Sequence, residues 1–232
     1  MGPLREGYTE AQGGPFNFRS LVRAGNLGER CCRSQNDPRF WWFSQGALQV
    51  SYPVPGAPEL AKRVQDLLGP ATVLLDTQWG LDHGTWSVLC HVYPEADVPV
   101  IQLSIDEMQP PDYHYEIGKR LAPLRDEGVL IIGSGSVVHN PNAYAWGRPD
   151  AKPYDWAERF ESKVRALLLD AKDDHLIKYG DLGRDALLSA PTPDHYLPLL
   201  YVVALRRKGE QVSFPVEGID GVSVSMLSVQ IG

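Results

Sequence analysis

Apolar residues follow two periods in the chain from Ser44 onward, and each period predicts one kind of element. Apolar side chains spaced three and four residues apart predict amphipathic helices over residues 57–68, 112–125 and 154–171. Shorter runs that are continuously apolar, or that alternate with polar residues, predict strands over residues 72–76, 98–105, 129–132, 212–216 and 222–231. Because strands and helices alternate, we expect a three-layer α/β domain in which helices flank a central mixed or parallel β-sheet. Ligands of such sheets bind beyond the carboxyl ends of the strands.

The first 43 residues do not share this pattern. They contain four branched aliphatic side chains and lack lysine, isoleucine and histidine. Six arginines accompany four acidic residues there, whereas residues 44–232 carry a net charge of −9. We therefore expect residues 1–43 to be an irregular segment without regular strands, unrelated to the domain predicted for residues 44–232.

The overall composition narrows the class of ligand. The 232 residues carry a net charge of −7, and the sequence pI is about 5.4, so we expect no nucleic-acid partner. The longest strongly apolar run, residues 196–205, is ten residues long and contains Pro198, which makes it too short to span a membrane. Three cysteines, two of them adjacent, form no disulfide framework, and the start has no signal-like apolar stretch. These features predict a cytoplasmic protein with a small-molecule ligand.

One candidate functional residue follows a glycine-rich turn. His139 comes after the predicted strand 129–132 through Gly133-Ser-Gly-Ser136, whose glycines we expect to adopt positive φ angles and to approach a ligand closely. The turn lacks the Gly-Lys-Ser/Thr ending of a phosphate loop and the third glycine of a dinucleotide fingerprint, and it does not fit the Gly-x-Ser-x-Gly nucleophile elbow. It therefore places an imidazole at the end of a strand.

A second candidate is the histidine of Pro191-Thr-Pro-Asp-His-Tyr-Leu-Pro198. Thr192 is a good N-cap and Pro193 suits the first helical position, which makes His195 the third residue of a predicted helix. The positive end of the helix dipole keeps such an imidazole neutral, the form that binds metal ions. A purely structural histidine that binds a neighbouring loop is the alternative at this position.

A third candidate, His83, lies between two indoles in Trp79-Gly-Leu-Asp-His-Gly-Thr-Trp86. We expect Asp82 to orient its ring and Gly84 to let a planar substrate approach. Aromatic side chains around one titratable imidazole are typical of an acid/base site for an aromatic ligand. The remaining three histidines are interpreted as structural or surface residues: His91, His114 and His175.

Five motifs in this order carry a family resemblance. They are GLDHGTW at 80–86, YPEADVPVIQLS at 93–104, GSGSVVHN at 133–140, PTPDHYLPL at 191–199 and SMLSVQIG at 225–232. From about Ser44 to the last residue, the chain resembles the class III extradiol ring-cleaving dioxygenases, in the DOPA 4,5-dioxygenase-like branch of the protocatechuate dioxygenase β-subunit superfamily.

The resemblance implies a non-haem metal centre that cleaves a catechol-type aromatic ring with O₂ next to its two hydroxyls. It assigns His139 and His195 to the metal, which we expect to be Fe(II), with Zn(II) as an alternative occupant. In the wider superfamily, the residue that matches His139 is sometimes treated as an acid/base group. His83 matches the histidine that faces the substrate, and we expect it to shuttle protons as the catalytic acid/base.

The chain also departs from the family pattern. The family places two further metal-binding histidines in its N-terminal part, and this sequence has no histidine before His83. Three or four protein ligands usually hold a catalytic metal, so the resemblance predicts an N-terminally incomplete domain with impaired ring cleavage. Residues 1–43 are consistent either with out-of-frame translation of a G·C-rich gene or with genuine divergence.

Two other functions remain open from the sequence. One is a catalytically inactive remnant that binds an aromatic small molecule or a protein partner. The other is a zinc-dependent hydrolase built on the same three histidines, which ranks last because no adjacent glutamate supplies the usual general base.

Overall fold

The structure is a computed structural model that describes residues 52–69, 73–77, 80–148 and 150–232, together with the backbone of a strand at 20–23. That strand, β1 (Ser20–Arg23), lies between β2 (Val73–Asp76) and β3 (Gln102–Leu103) in a three-stranded sheet. β1 runs parallel to β2 and antiparallel to β3, so the small sheet is mixed.

Strand β1 corrects the prediction that residues 1–43 hold no regular strand. A four-residue strand is held by its backbone hydrogen bonds to two neighbours, and it needs few branched side chains of its own. The rest of this segment lies outside the described residues. The boundary between residues 1–43 and 44–232 therefore stays a prediction.

Two predicted helices are confirmed, with each end within two residues of its predicted position. Helix α1 (Pro58–Leu68) starts with proline at its first position, buries Ala61, Val64 and Leu68, and ends at Gly69, whose φ is 88°. Helix α5 (Asp155–Leu169) buries five apolar residues at helical spacing: Ala157, Phe160, Val164, Leu167 and Leu168. Both helices follow from local signals, which are apolar periodicity and terminal residues.

The predicted helix 112–125 is divided in two. Helix α3 (Pro111–Leu121) is followed by the short helix α4 (Pro123–Asp126). Pro123 has no N–H to continue the hydrogen-bond pattern of α3, which explains the break. Helix α2 (His83–Val92) lies earlier in the chain, and its first residue is one of the candidate site histidines.

The remaining helices lie in the second half of the chain. They are α6 (Asp173–Ile177), α7 (Arg184–Ser189), α8 (Leu197–Ala204) and two 3₁₀ turns at Pro141–Ala143 and Tyr179–Leu182. Two small antiparallel sheets follow, pairing β4 (Val212–Ser213) with β7 (Gln230–Ile231) and β5 (Ile219–Asp220) with β6 (Val224–Ser225). The predicted strands 212–216 and 222–231 are present as these shorter pieces.

The segment predicted as strand 129–132 has no ladder partner among the described residues. Val129 and Ile131 pack on the core formed by α1 and α3, whereas Leu130 and Ile132 are exposed. The predicted strand 98–105 is likewise reduced to Gln102–Leu103 and a bridge between Val100 and Gly56. The described residues thus form helices with small sheets, and the large central sheet of the predicted three-layer arrangement is not among them.

The largest buried cluster surrounds α5 and α8. Val138, Phe160, Tyr196, Leu197 and Leu200 are all at most 2% exposed. Burying one such side chain fully contributes about 1.5–3 kcal/mol, so this cluster dominates the stability of the second half of the chain. It includes residues next to both His139 and His195, and therefore fixes the backbone on which these histidines lie.

A second and a third cluster hold the first half. Helices α1 and α3 pack together through Val64, Leu68 and Ile117. Leu81 and Leu89 pack with Tyr52 and Val54 in the third cluster, which seats α2. No helix within the described ranges is long and apolar enough to cross a membrane.

Candidate functional site

His139 lies at an isolated bridge between two backbone segments. It pairs antiparallel with Val224, and its N–H donates to the carbonyl of Ser189 at 2.7 Å. On either side of it, the Asn140 N–H donates to the Ser223 carbonyl and the Ser225 N–H donates to the Val138 carbonyl, at 3.1 and 2.8 Å. The backbone of His139 is therefore fixed from both sides.

His195 lies in the turn that leads into α8. The Leu197 N–H donates to the Pro193 carbonyl at 2.9 Å, and α8 begins at Leu197. The prediction that Thr192 caps a helix with His195 as its third residue is wrong by this measure. Pro198 lacks the N–H that an α-helical bond to the Asp194 carbonyl would need, so a regular helix does not start before Leu197.

The two imidazole rings stack on each other. The ring centroids of His139 and His195 are 3.5 Å apart, and the ring planes are inclined by 20°. His139 and His195 are therefore in direct contact. Their roles in binding a metal are a separate question.

Both stacked imidazoles are neutral at pH 7. Burial, with a smaller contribution from the nearby His195, lowers the pKa of His139 to about 4. Burial also lowers the pKa of His195, against the opposing effect of the Asp194 carboxylate, whose Oδ2 is 3.5 Å from His195 Nε2. The predicted neutral state of His195 agrees with this direction, but burial causes it rather than a helix dipole.

The glycine turn 133–136 allows close packing against the backbone segment that carries His195. A Cβ on Gly135 would lie 2.2 Å from the His195 carbonyl oxygen, and one on Gly133 would lie 2.5 Å from that of Pro198. Neither glycine has a positive φ angle, so that prediction is wrong. The glycines are needed because the backbone of the turn packs directly on the segment that carries His195, and the Ser136 N–H donates to the His195 carbonyl at 2.8 Å.

His83 is the first residue of α2 and its side chain is exposed. It lies close enough to His195 for its charge to lower the pKa of that imidazole. Asp82 caps α2, since its Oδ1 accepts from the Thr85 N–H at 3.0 Å. Its expected role in orienting the His83 ring stays a prediction. The structure thus brings His83 to the same site as the stacked pair.

Three buried polar atoms around the stacked pair have no hydrogen-bond partner among the described residues. They are Ser189 Oγ, Asn140 Oδ1 and Asp194 Oδ1. Ser189 is fully buried, and its carbonyl accepts from His139. From the sequence, Asn140 and Asp194 are neighbours of the histidines with no role assigned to them. Nothing in the local sequence singles out Ser189. Unpaired buried polar atoms are costly and cluster at functional sites.

The side chains as arranged do not fit a metal centre. An imidazole binds a metal in the plane of its ring, at about 2.0–2.1 Å for zinc. Two nearly parallel rings stacked at 3.5 Å cannot both direct a nitrogen in-plane at one ion. Within the described part of the chain, no group of three or more histidine, cysteine or acidic side chains could hold a metal ion. A metal would need further ligands and a rotation of at least one ring.

Comparison with known proteins gives the family. Residues 31–224 match the model of the catalytic LigB subunit of aromatic ring-opening dioxygenase. The chain is 47% identical over 197 residues to a protein named 4,5-DOPA dioxygenase extradiol from Escherichia coli K12, covering 83% of this chain and 72% of that protein. It is 42% identical over 174 residues to the protein of the same name from Beta vulgaris, covering 74% and 63%.

The fold agrees with a solved structure. A crystal structure of an uncharacterized protein from Escherichia coli K12 superposes with a TM-score of 0.77 at 42% sequence identity, covering 92% of this chain and 81% of that one. The chain spans less than two thirds of the length of the Beta vulgaris relative. Extradiol dioxygenases of this family use a non-haem metal. With a family match over most of its length, the chain belongs to the LigB family of aromatic ring-opening dioxygenases.

Proposed function

We propose that this protein catalyses extradiol cleavage of a catechol-type aromatic ring with O₂, and that this activity is impaired. The observation that carries the proposal is the stack of His139 on His195 with His83 in electrostatic reach, in a chain related to proteins named 4,5-DOPA dioxygenase extradiol. Both oxygen atoms enter the product, and the carbon–carbon bond beside the two hydroxyls breaks, so the reaction needs no external reductant.

His83 is proposed as the acid/base group. Its side chain is exposed at the start of α2, so a bound catechol can reach it. Ring opening requires protons to leave the catechol hydroxyls and to return to the product, and a positioned imidazole contributes about 10²–10⁴-fold to such a step. Neutral imidazoles at His139 and His195 provide hydrogen-bonding groups on the other side of the site.

His139 and His195 are proposed for the metal side of the site after at least one ring rotates out of the stack, with Fe(II) as the expected ion and Zn(II) as the alternative. Two imidazoles are fewer ligands than the three or four that usually hold a catalytic metal. This shortage supports the proposal that activity is impaired, because a metal bound by two ligands is weakly held.

A direct assay tests the function. The purified protein is incubated with L-DOPA and with 4-methylcatechol, with no added metal, with ferrous iron or with zinc, and the yellow ring-opened product is followed by absorbance. Slow cleavage that depends on added ferrous iron supports the proposal. An absence of product at saturating ferrous iron, with catechol binding retained, would establish the inactive aromatic-binding remnant instead, an alternative favoured by the stacked orientation of the rings.

Two variants separate the proposed roles. His83→Ala should lower turnover about 10²-fold or more and leave iron binding unchanged, whereas His195→Ala should lower both. His175→Ala, which removes an exposed side chain on α6, is the matched control. Equal loss of bound iron in the His83 and His195 variants would show that His83 is a ligand.

A further inference from the structure

A buried glutamine forms hydrogen bonds to the first turn of α2, the turn that carries His83. Gln102 lies on β3 and is 9% exposed. Its Nε2 donates to Asp82 Oδ2 at 2.5 Å, and its Oε1 accepts from the Asp82 N–H at 3.0 Å. The amide therefore binds both the backbone and the carboxylate of the residue that precedes His83.

The same oxygen extends the network to the next residue of the turn. The Thr85 hydroxyl lies 3.0 Å from Gln102 Oε1 and 3.1 Å from Asp82 Oδ1 and donates its one proton to this pair of oxygens, while Asp82 Oδ1 also accepts from the Thr85 N–H at 3.0 Å. Asp82 and Thr85 flank His83 and Gly84 in the chain. The side-chain amide oxygen of Gln102 and one N–H of its amide nitrogen are thus directed at this turn. This set of contacts is called the Gln102 clamp.

A separate contact joins the turn to the opposite side of the site. Ser134 Oγ donates to the Gly84 carbonyl at 2.6 Å. Ser134 lies between the two glycines whose backbone packs on the segment from His195 to Pro198. The residue after His83 is therefore tied to the segment that carries His195, while the residue before it is tied to β3.

We propose that Gln102 is a positioning residue, which acts through Asp82 and Thr85 to hold His83 opposite the stacked pair. The proposal rests on the proposed acid/base role of His83. Gln102 touches neither substrate nor metal in this account. Because a displacement of about 1 Å in a catalytic group can cost about 10²-fold in rate, a buried side chain that fixes the turn has a direct effect on turnover.

A single-atom change tests the clamp. Gln102→Glu keeps the size of the side chain and both bonds accepted by its oxygen, but replaces the donor to Asp82 with an oxygen that faces the Asp82 carboxylate. It is measured at pH 8, which disfavours a proton shared between the two facing carboxyls. The exchange of the Thr85 and Trp86 amide hydrogens with solvent, measured by NMR, should become about 10-fold faster or more, because the helix cap is released. In the ring-cleavage assay, kcat should fall about 10- to 100-fold with KM for 4-methylcatechol changed less than about 2-fold.

A second variant restores the interaction with donor and acceptor exchanged. In the double variant Asp82→Asn with Gln102→Glu, the new amide can donate to the new carboxylate and still cap α2, since asparagine is as good an N-cap as aspartate. We expect amide exchange and kcat to return to within about 3-fold of the wild-type values. Asp82→Asn alone places two amide nitrogens face to face and should not show this recovery.

The matched control is Gln65→Glu. Gln65 is another partly buried glutamine, on α1, and its Nε2 donates to the Val73 carbonyl at 3.0 Å. It should leave exchange at Thr85 and the kcat for ring cleavage unchanged. Unaltered amide exchange in Gln102→Glu, a matching loss in Gln65→Glu, or a double variant no better than Gln102→Glu would each overturn the proposal.

The outcome does not depend on the chain being an efficient enzyme. If the wild-type protein cleaves no catechol under any condition, the proposed function fails, but amide exchange in the single and double variants still decides whether Gln102 holds the turn. If ring cleavage is present and Gln102→Glu changes neither kcat nor exchange, the proposed function stands and the clamp is rejected.

Discussion

Two regions of the molecule treat their apolar side chains in opposite ways. In the region around the stacked histidines, residues 133–140 and 189–200, Val138, Tyr196 and Leu200 are fully buried. In the region of the small sheet, β1 to β3 and residues 129–132, Leu130 is 65% exposed and Leu75 is 43% exposed. The difference shows that the segments carrying His139 and His195 lie on a continuous core, whereas β2 and residues 129–132 expose apolar side chains.

The largest contrast between the two regions is expected from one substitution made in each. Leu200→Ala, in the buried cluster, should lower the free energy of unfolding by about 2–5 kcal/mol, because it removes packed atoms and leaves a cavity. Leu130→Ala, at an exposed position, should change it by no more than about 0.5 kcal/mol. Urea unfolding followed by circular dichroism measures both. Equal losses would show that residues 129–132 are packed in solution.

The next largest change in the free energy of unfolding is expected where the glycine turn contacts His195. Gly135→Ala would place a methyl group 2.2 Å from the His195 carbonyl oxygen, and the backbone on both sides must shift. We expect a loss of about 1–3 kcal/mol in the free energy of unfolding. Gly180→Ala, where an added Cβ meets nothing within 4 Å, is the control. A Gly135→Ala protein as stable as the control would mean that the turn does not pack on His195.

A smaller change in the free energy of unfolding is expected when the pH is lowered, because of a buried histidine that links α3 to α8. His114 is fully buried, its Nδ1 is 2.9 Å from the Tyr201 hydroxyl, and burial lowers its pKa. Because the unfolded chain binds the proton more readily than the native chain, this histidine contributes its full stability above its ordinary pKa of about 6.5 and loses it as the pH falls below that value.

The pH effect is isolated by comparison with a variant that does not titrate. His114→Gln keeps a group that can hydrogen-bond Tyr201. Between pH 7 and pH 5, the free energy of unfolding of the wild type should fall more steeply than that of the variant, since all other groups are common to both. Parallel pH curves would mean that His114 is protonated in the folded protein or has an ordinary pKa.

Local sequence signals predicted one part of the structure well. Helices α1 and α5 follow from apolar periodicity and from the residues at their ends, and the structural role expected for His114 agrees with its burial. These features depend on residues close together in the chain.

The parts that sequence reasoning missed depend on contacts between distant segments. Strand β1 exists through its pairing with β2 and β3, and the four residues themselves carry little strand signal. The backbone carbonyl of His195 lies against Gly135, some 60 residues earlier in the chain, and this contact has no local sequence signal. Gln102 had one available signal, a polar residue within the apolar run 98–105, which is typical of a buried side chain with specific partners.

We propose that this chain keeps the acid/base side of an extradiol site, and that among the described residues only His139 and His195 lie on its metal side. The most direct measurement is the iron content of the full chain after anaerobic loading with ferrous iron and removal of unbound metal by gel filtration, determined by mass spectrometry. We expect well under one iron per chain, because two imidazoles such as His139 and His195 hold the ion weakly. One tightly held iron per chain would contradict it and would mean that residues outside the described ranges, with side chains such as Glu10, Glu29 or Asp37, complete the centre.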